Sequence, residues 1–137
     1  MKSSQVSHDP LAILVVDDYA DFAAIIAEEL SDRGHAVTIA HDGATALSIA
    51  RGRVFDAVVL DLTLPDISGY AVARTLRQGQ LVPETTTIIL ITGSDDARFD
   101  SAEAAGVDML LKKPIDKSVL EPLVEHVRHR RRRKAHA

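Results

Sequence analysis

Three short stretches of this chain are apolar at every position, and they constrain its fold more than any other feature. They cover residues 13–16, 58–60 and 88–91, and they contain only Ile, Leu and Val. A run without polar alternation is typical of a strand that is buried on both faces of a parallel sheet. Two further runs have a similar composition, so we predict five strands, at residues 11–16, 36–40, 56–60, 87–91 and 108–111.

Longer segments with helical periodicity separate these runs. In residues 22–30 the apolar side chains recur at intervals of three and four positions, and Gly34 follows as a stop signal. Residues suited to capping a helix N-terminus open the other four segments, namely Asp42, either Asp66 or Ser68, Ser94, and Asp116. Pro122 lies inside the last predicted helix, where we expect it to remove a hydrogen bond and bend the helix.

This alternation of strands and helices predicts an α/β fold. Right-handed crossovers convert such an order into a doubly wound, five-stranded parallel sheet with helices on both faces. We predict a single domain over residues 11–127, a flexible N-terminal extension at residues 1–10 and a basic C-terminal tail at residues 128–137. In such folds, ligands bind at the carboxyl ends of the strands.

Polar residues follow four of the predicted strands at that edge. Asp17 and Asp18 follow the first strand, Asp61 the third, Thr92 the fourth and Lys113 the fifth. Two like charges about 4 Å apart repel by about 4 kcal/mol at an effective dielectric constant of about 20, so three gathered carboxylates require a cation. Mg²⁺ suits a site with few carboxylate ligands that also binds a phosphate. A carboxylate beside a metal and a lysine is suited to forming an aspartyl phosphate.

The segments that carry these residues resemble the response-regulator receiver domain of two-component signalling. They are residues 13–18, 61–69, 89–93 and 113–114, in that order and at the ends of the predicted strands. Each segment alone is a weak signal, whereas the four together are specific. The resemblance extends from residue 13 to about residue 127 and implies a flavodoxin-like (βα)5 fold.

The resemblance also implies a metal site. Asp61 matches the phosphoacceptor of such domains, and it is expected to be one of the Mg²⁺ ligands. Asp18 is expected to hold Mg²⁺ directly, and Asp17 through a water molecule. The backbone carbonyl of Thr63 falls at the position of a further ligand.

Other matched residues are expected to act on the phosphoryl group. Thr92 and Lys113 occupy the positions of the hydroxyl and the lysine that bind it. Pro65 and Gly69 shape the loop after the phosphoacceptor. The bond between Lys113 and Pro114 is expected to be cis, a form that X-Pro bonds adopt at little cost.

The implied function is phosphorelay signalling. Asp61 would accept a phosphoryl group from a sensor histidine kinase or a histidine phosphotransfer protein, which switches the binding of an output partner. That partner is expected at the face formed by the fourth helix, the fifth strand and the fifth helix. The chain is then a phosphoacceptor and not an enzyme. The alternative, a phosphatase resembling haloacid dehalogenases, needs a second Asp two residues after the nucleophile, where this chain has Thr63.

One position departs from the family pattern. Receivers commonly carry Tyr, Phe or His three residues before the lysine, and this chain has Leu110 there. No other aromatic residue is expected nearby, because Phe99 belongs to the preceding predicted helix. This departure favours a phosphate shuttle, a phosphate sink or a switch that uses a different surface.

The charges of the chain are divided unevenly. The last twelve residues carry five Arg and one Lys without an acid, while the remaining ten basic and twenty acidic residues leave residues 1–125 at −10. We interpret the tail first as a solvated helix end, since cations favour that end of the helix dipole. Contact with nucleic acid or an anionic membrane, and docking onto an acidic protein surface including the chain's own body, stay open.

The sequence lacks cysteine and long apolar segments, and this excludes several classes of function. The chain has no cysteine, which excludes disulfides, thiolate metal sites and thiol catalysis. The first ten residues lack the apolar stretch of a signal peptide, and the apolar runs are too short to cross a bilayer. We therefore expect the chain to be cytoplasmic.

Overall fold

Five parallel strands form one sheet in the computed structural model, which describes residues 9–93 and 99–135 of the chain. The strands are β1 (Ala12–Val16), β2 (Ala36–Ala40), β3 (Ala57–Asp61), β4 (Thr87–Thr92) and β5 (Met109–Lys112). Their order in the sheet is β2-β1-β3-β4-β5. The predicted α/β fold with a five-stranded parallel sheet is confirmed, and the ends of each predicted strand are correct to within one residue.

The register of the strands aligns their carboxyl ends. Val16, the last residue of β1, lies opposite Leu60 of β3. At the other side of the sheet, Thr92 of β4 lies opposite Lys112 of β5. The polar residues that follow these positions therefore share one edge of the sheet.

Five α-helices connect or follow the strands. They are α1 (Ala20–Asp32), α2 (Gly43–Gly52), α3 (Gly69–Gln78), α4 (Phe99–Ala104) and α5 (Leu120–Ala135). Asp42 caps α2 as predicted, because its side chain accepts a hydrogen bond from the Thr45 N–H at 2.7 Å. Ser68, rather than Asp66, is the N-cap of α3. The predicted cap at Ser94 lies outside the described residues.

The prediction that Pro122 bends the last helix is wrong. A short 3₁₀ turn at Lys117–Val119 is capped by Asp116 and precedes α5, which begins at Leu120. Pro122 is therefore in the first turn of α5. The N–H groups of a first turn have no acceptor within the helix, so a proline is tolerated there.

Both faces of the sheet are covered by apolar side chains. Alternate residues of β1 belong to different core clusters, with Leu14 and Val16 on one face and Ile13 and Val15 on the other. All four are at most 1% exposed. Burying a side chain of this size contributes about 1.5–3 kcal/mol. This two-sided burial is the reason that the strand sequences lack polar alternation.

The basic tail begins within α5, which continues without a break from residue 120 to residue 135. Three of its arginines contact acceptors of the body: Arg128 donates to the Asp9 carbonyl at 2.8 Å, Arg130 pairs with Asp108 at 2.8 Å, and Arg131 pairs with Asp56 at 3.3 Å. The interpretation as a solvated helix end is therefore wrong for these three side chains. They dock onto the acidic body of the chain itself.

The acidic partners of these arginines also fasten the amino-terminal edge of the sheet. Asp56 accepts a hydrogen bond from the Ala12 N–H, and Asp108 accepts one from the Ile88 N–H, both at 2.8 Å. Arg77 of α3 pairs with the same Asp108 carboxylate at 2.6 Å. The amino edge thus carries carboxylates that are bonded both to backbone N–H groups and to guanidinium groups.

Among the described residues, none of the helices combines the length and the apolar character that crossing a membrane requires.

His35 lies between the end of α1 and the start of β2, in an environment that disfavours its charged form. Its side chain is 8% exposed, and its Nδ1 accepts a hydrogen bond from the Leu11 N–H at 3.0 Å. Burial lowers the pKa of His35, and the nearby Arg128 lowers it further. The folded chain therefore holds this imidazole in its neutral form.

We predict a pH dependence of stability that originates at His35. Below the unfolded-state pKa of about 6.5, His35 binds a proton in the unfolded chain but stays unprotonated in the folded chain. The free energy of unfolding therefore falls by at most about 1.4 kcal/mol for each pH unit of acidification, until the folded-state pKa is reached. Urea unfolding between neutral and mildly acidic pH measures this slope. His35→Asn, which keeps an acceptor, should flatten it, whereas His126→Asn on the exposed face of α5 should not. Equal slopes in both variants would contradict the assignment.

Candidate functional site

Three carboxylates meet at the carboxyl edge of the sheet. One oxygen from each of Asp17, Asp18 and Asp61 lies within 4.8 Å of the other two. Asp17 is 2% exposed and Asp61 is 7% exposed, whereas Asp18 is exposed to solvent. The acid pair after β1 and the acid that ends β3 are thus gathered as the sequence predicts.

The backbone around Asp17 is fixed by neighbouring elements. Its N–H donates to the carbonyl of Ala40 at the end of β2, at 3.1 Å. Its carboxylate accepts the Tyr19 N–H at 2.8 Å, just before α1 begins. The His41 Nδ1 lies 3.0 Å from the Asp17 carbonyl oxygen. Because of these bonds, the loop between β1 and α1 holds its acids at the mouth of the site.

Lys113 supplies the positive charge next to this cluster. Its Nζ lies 3.1 Å from the Asp17 carboxylate and 3.8 Å from the Asp61 carboxylate. Its backbone N–H donates to the Thr92 carbonyl at 2.8 Å, which ties it to the end of β4. The Lys113–Pro114 bond is cis, as predicted. Thr92 is the last residue of β4, so it lies at the same edge of the sheet, and it is 3% exposed.

Burial raises the pKa of Asp61, and the nearby charge of Asp17 raises it further. Lys113 acts in the opposite direction but does not cancel the increase. Ionisation of a buried carboxyl group next to a second carboxylate is unfavourable unless a cation is present. The site as built therefore favours a bound cation.

The donor set fits a hard divalent cation such as Mg²⁺. All three gathered side chains offer carboxylate oxygens, which are hard ligands of the kind that Mg²⁺ and Ca²⁺ prefer. Mg²⁺ usually binds one or two carboxylates and keeps several waters, which agrees with a cluster that has one exposed member. The residues present thus match the predicted metal.

The loop after Asp61 folds tightly against the sheet. The Leu62 N–H donates to the Ile91 carbonyl at 2.9 Å, and the Gly69 N–H donates to the Leu62 carbonyl at 2.7 Å. A Cβ at position 69 would lie 2.5 Å from the Asp61 carbonyl oxygen. Only glycine allows this close approach of two backbone segments. Thr63 is exposed, and its N–H lies 3.4 Å from the Asp61 carboxylate.

Asp66 has a role that the sequence did not indicate. Its carboxylate accepts the N–H groups of Gly43 and Ala44, each at 2.8 Å, and these two bonds lower the pKa of Asp66. The loop after the phosphoacceptor position is thereby fastened to the N-terminus of α2. The sequence shows only an acid that could start α3, because the contact joins residues more than twenty positions apart.

Phe22 was also missed as part of the site. The Lys113 Nζ lies 4.4 Å from the centroid of the Phe22 ring, within the range of a cation–π interaction. From the sequence, Phe22 is one member of the apolar stripe of α1. Its position four residues after Asp18 is the signal that places it near the edge of the sheet. Leu110, by contrast, is a partly buried residue that packs against the apolar core.

Comparisons with known proteins agree with this geometry. The profile described as "Response regulator receiver domain" matches residues 13–125. The chain belongs to this family. The response regulator ArlR of Staphylococcus saprophyticus is 36% identical to the receiver chain over 123 residues, which are 88% of the chain and 52% of ArlR. The virulence sensor protein BvgS of Bordetella pertussis is 37% identical over 110 residues, which are 77% of the chain and 9% of BvgS.

Solved structures extend the comparison. A CheY-like receiver domain from Methylobacillus flagellatus has a TM-score of 0.78 and 31% identity, and the match covers 87% of this chain and 99% of that one. A response regulator from Burkholderia pseudomallei has a TM-score of 0.72 and 32% identity, and the match covers 82% of this chain and 64% of that one. That structure contains a phosphorylated aspartic acid, a calcium ion and citrate. The receiver chain spans about half of ArlR and less than a tenth of BvgS.

We predict that Gly69→Ala destabilises the receiver by about 1–3 kcal/mol, because the new Cβ collides with backbone atoms of Asp61 and Leu62. Gly52→Ala is the matched control, since a Cβ there meets nothing within 4 Å at the end of α2. It should be neutral or stabilise by up to about 1 kcal/mol. Urea unfolding of both variants measures the difference, and equal free energies of unfolding would show that the loop yields to the methyl group.

Proposed function

We propose that Asp61 accepts a phosphoryl group from a phosphorylated histidine of a sensor kinase or a phosphotransfer protein. The observation that carries this proposal is the gathering of Asp61 with Asp17 and Asp18 within 4.8 Å, with the Lys113 ammonium 3.8 Å from Asp61. Membership of the receiver family supports it, as does the phosphorylated aspartic acid of the Burkholderia relative. The proposal retains the cytoplasmic location expected from the sequence.

The transfer needs little more than positioning and charge neutralisation. An oxygen of the Asp61 carboxylate attacks phosphorus, the P–N bond to the donor imidazole breaks, and the electron pair of that bond stays on the imidazole nitrogen. Lys113 offsets the negative charge that develops on the phosphoryl oxygens, and the Thr92 hydroxyl donates a hydrogen bond to one of them. Such preorganised charge accounts for most of the catalysis in phosphoryl transfer.

The proposed metal ligands are the carboxylates of Asp17, Asp18 and Asp61 and the backbone carbonyl of Thr63. Asp18 would hold the metal directly and Asp17 through a water molecule. Mg²⁺, when bound, neutralises the gathered carboxylates and the incoming phosphoryl group. The protein holds these acids at the edge of the sheet through the hydrogen bonds of Asp17 and the tight loop after Asp61.

The product is a protein-bound acyl phosphate, so the receiver acts as a phosphoacceptor and not as an enzyme on a separate substrate. Phosphorylation adds negative charge at Asp61 and attracts the Lys113 ammonium away from Asp17. Since Leu110 offers no aromatic ring to follow Thr92, the output signal depends on this local rearrangement. We retain α4, β5 and α5 as the face that meets the output partner.

The phosphodonor is proposed to dock on an apolar groove beside the site. This groove, of about 330 Å³, lies between α1 and the segment after β5 and is lined by Lys113 itself. Tyr19 and Ile25 at its rim are 62% and 53% exposed. A partner that covers these side chains would bring its phosphorylated histidine to Asp61, and exposed apolar patches are typical of such contacts.

The first test is chemical labelling. We predict that a small acyl phosphate with Mg²⁺ phosphorylates the wild-type receiver and the control Asp32→Asn, whereas Asp61→Asn remains unlabelled, because the nucleophilic carboxylate is lost. Intact-mass measurement before and after incubation detects the added group. Folded wild-type protein that fails to label at saturating Mg²⁺ would refute the proposal. Labelling of Asp61→Asn at the wild-type rate would assign the nucleophile elsewhere.

The second test concerns the groove. With any phosphorylated histidine phosphotransfer protein that labels the wild-type receiver, we predict that Ile25→Glu slows transfer by about tenfold or more, since a buried charge opposes docking. Labelling by the small acyl phosphate should not change. Val54→Glu is the matched control, because Val54 is 73% exposed but precedes β3 at the opposite edge of the sheet. Equal transfer rates for both variants would place the donor elsewhere.

A further inference from the structure

We infer that Phe22 is a positioning residue for Lys113, and that the face of its ring holds the ammonium group ready for the phosphoryl group. The inference rests on the proposed role of Asp61 as phosphoacceptor. Three distances define the arrangement: the Lys113 Nζ lies 3.1 Å from the Asp17 carboxylate, 3.8 Å from the Asp61 carboxylate and 4.4 Å from the Phe22 ring centroid. The ammonium is thus enclosed by two acids and one aromatic face.

The ring adds a third contact to an ammonium group that two carboxylates already bind. The Lys113 side chain is 26% exposed, and its four-carbon stem is flexible. Phe22, in the first turn of α1, packs against the core cluster that contains Ile26 and Leu123. Because the helix and the core fix the ring, the ring limits the directions in which Lys113 can move.

An aromatic face suits this task better than another acid. The ring attracts the ammonium through its quadrupole, and it competes for an N–H donor more weakly than an oxygen acceptor would. The donors of Lys113 therefore stay available for a phosphoryl oxygen. A third carboxylate in contact with Lys113 would instead compete with the phosphoryl group and would add repulsion to the acid cluster.

The contact also supplies an aromatic residue to a site whose usual aromatic position holds Leu110. Phe22 does not replace that residue in sequence, because it lies on α1 and not on β5. It lines the groove between α1 and the segment after β5, together with Lys113. A movement of Lys113 from Asp17 toward a phosphoryl group would therefore change the contacts at this groove.

The test uses beryllofluoride, an analogue of the acyl phosphate, so that contacts with a protein donor play no part. Phe22 is replaced site-specifically by mono-, di- and trifluorinated phenylalanine, which withdraw electrons from the ring face and change its shape little. We expect Mg²⁺-dependent beryllofluoride affinity to fall stepwise, to about 3- to 10-fold below wild type for the trifluorinated ring. Phe22→Leu should weaken binding at least as much. Phe22→Trp keeps an aromatic face and should bind about as tightly as the wild type.

Two controls separate a positioning role from a structural one. The same fluorinated series at Phe55, whose ring lies 5.0 Å from the Arg53 guanidinium in a distant part of the fold, should leave the affinity unchanged. In a Lys113→Met background the Phe22 series should be flat, because the partner of the ring is absent.

The outcomes distinguish this inference from the proposed function. If the wild-type receiver does not bind beryllofluoride with Mg²⁺, the proposed function fails. If the wild type binds and the Phe22 series shows no trend, the role of the ring face is refuted and Asp61 keeps its role. A loss in Phe22→Leu without a trend in the fluorinated series would also refute it, since packing alone would then explain the effect.

Discussion

The pairing of Lys113 with two buried carboxylates is the interaction on which the site depends. Asp17 and Asp61 lie at the edge of the sheet with almost no access to water, and Lys113 offsets only part of their charge. Burial and Asp17 still raise the pKa of Asp61. This incomplete compensation favours a divalent cation and leaves an ammonium near an Asp61 oxygen. The same arrangement of charges underlies both the metal binding and the phosphoryl transfer that we propose.

Local sequence patterns were enough to predict the sheet and most of the site. Fully apolar runs identified strands that are covered on both faces, and the residues directly after them had to meet at one edge because parallel strands end together. Asp17, Asp18, Asp61 and Lys113 are found together for this reason. Their chemical roles came from the resemblance to receivers, since spacing alone does not distinguish a metal ligand from a helix cap.

What the sequence did not predict depends on contacts between distant segments. Asp66 was read as a start of α3, although it binds the N-terminus of α2. Phe22 has the spacing of an ordinary core residue, and only the tertiary fold brings its ring to Lys113. Arg130 and Arg131 belong to a segment with the composition of a solvated helix end, yet their acceptors Asp108 and Asp56 directly precede β5 and β3. The sequence places Pro122 inside the last helix because Asp116 is a capping signal, but Asp116 caps a 3₁₀ turn and α5 begins only at Leu120.

The arginine contacts attach the carboxyl-terminal part of α5 to the amino edge of the sheet. Leu120, its first residue, borders the groove beside Lys113. Arg130 and Arg131 lie about 15–17 Å further along the helix, and they bind Asp108 and Asp56 at the opposite edge of the sheet. The ion pairs at the amino edge therefore restrain α5, and higher ionic strength, which screens those pairs, would weaken that restraint.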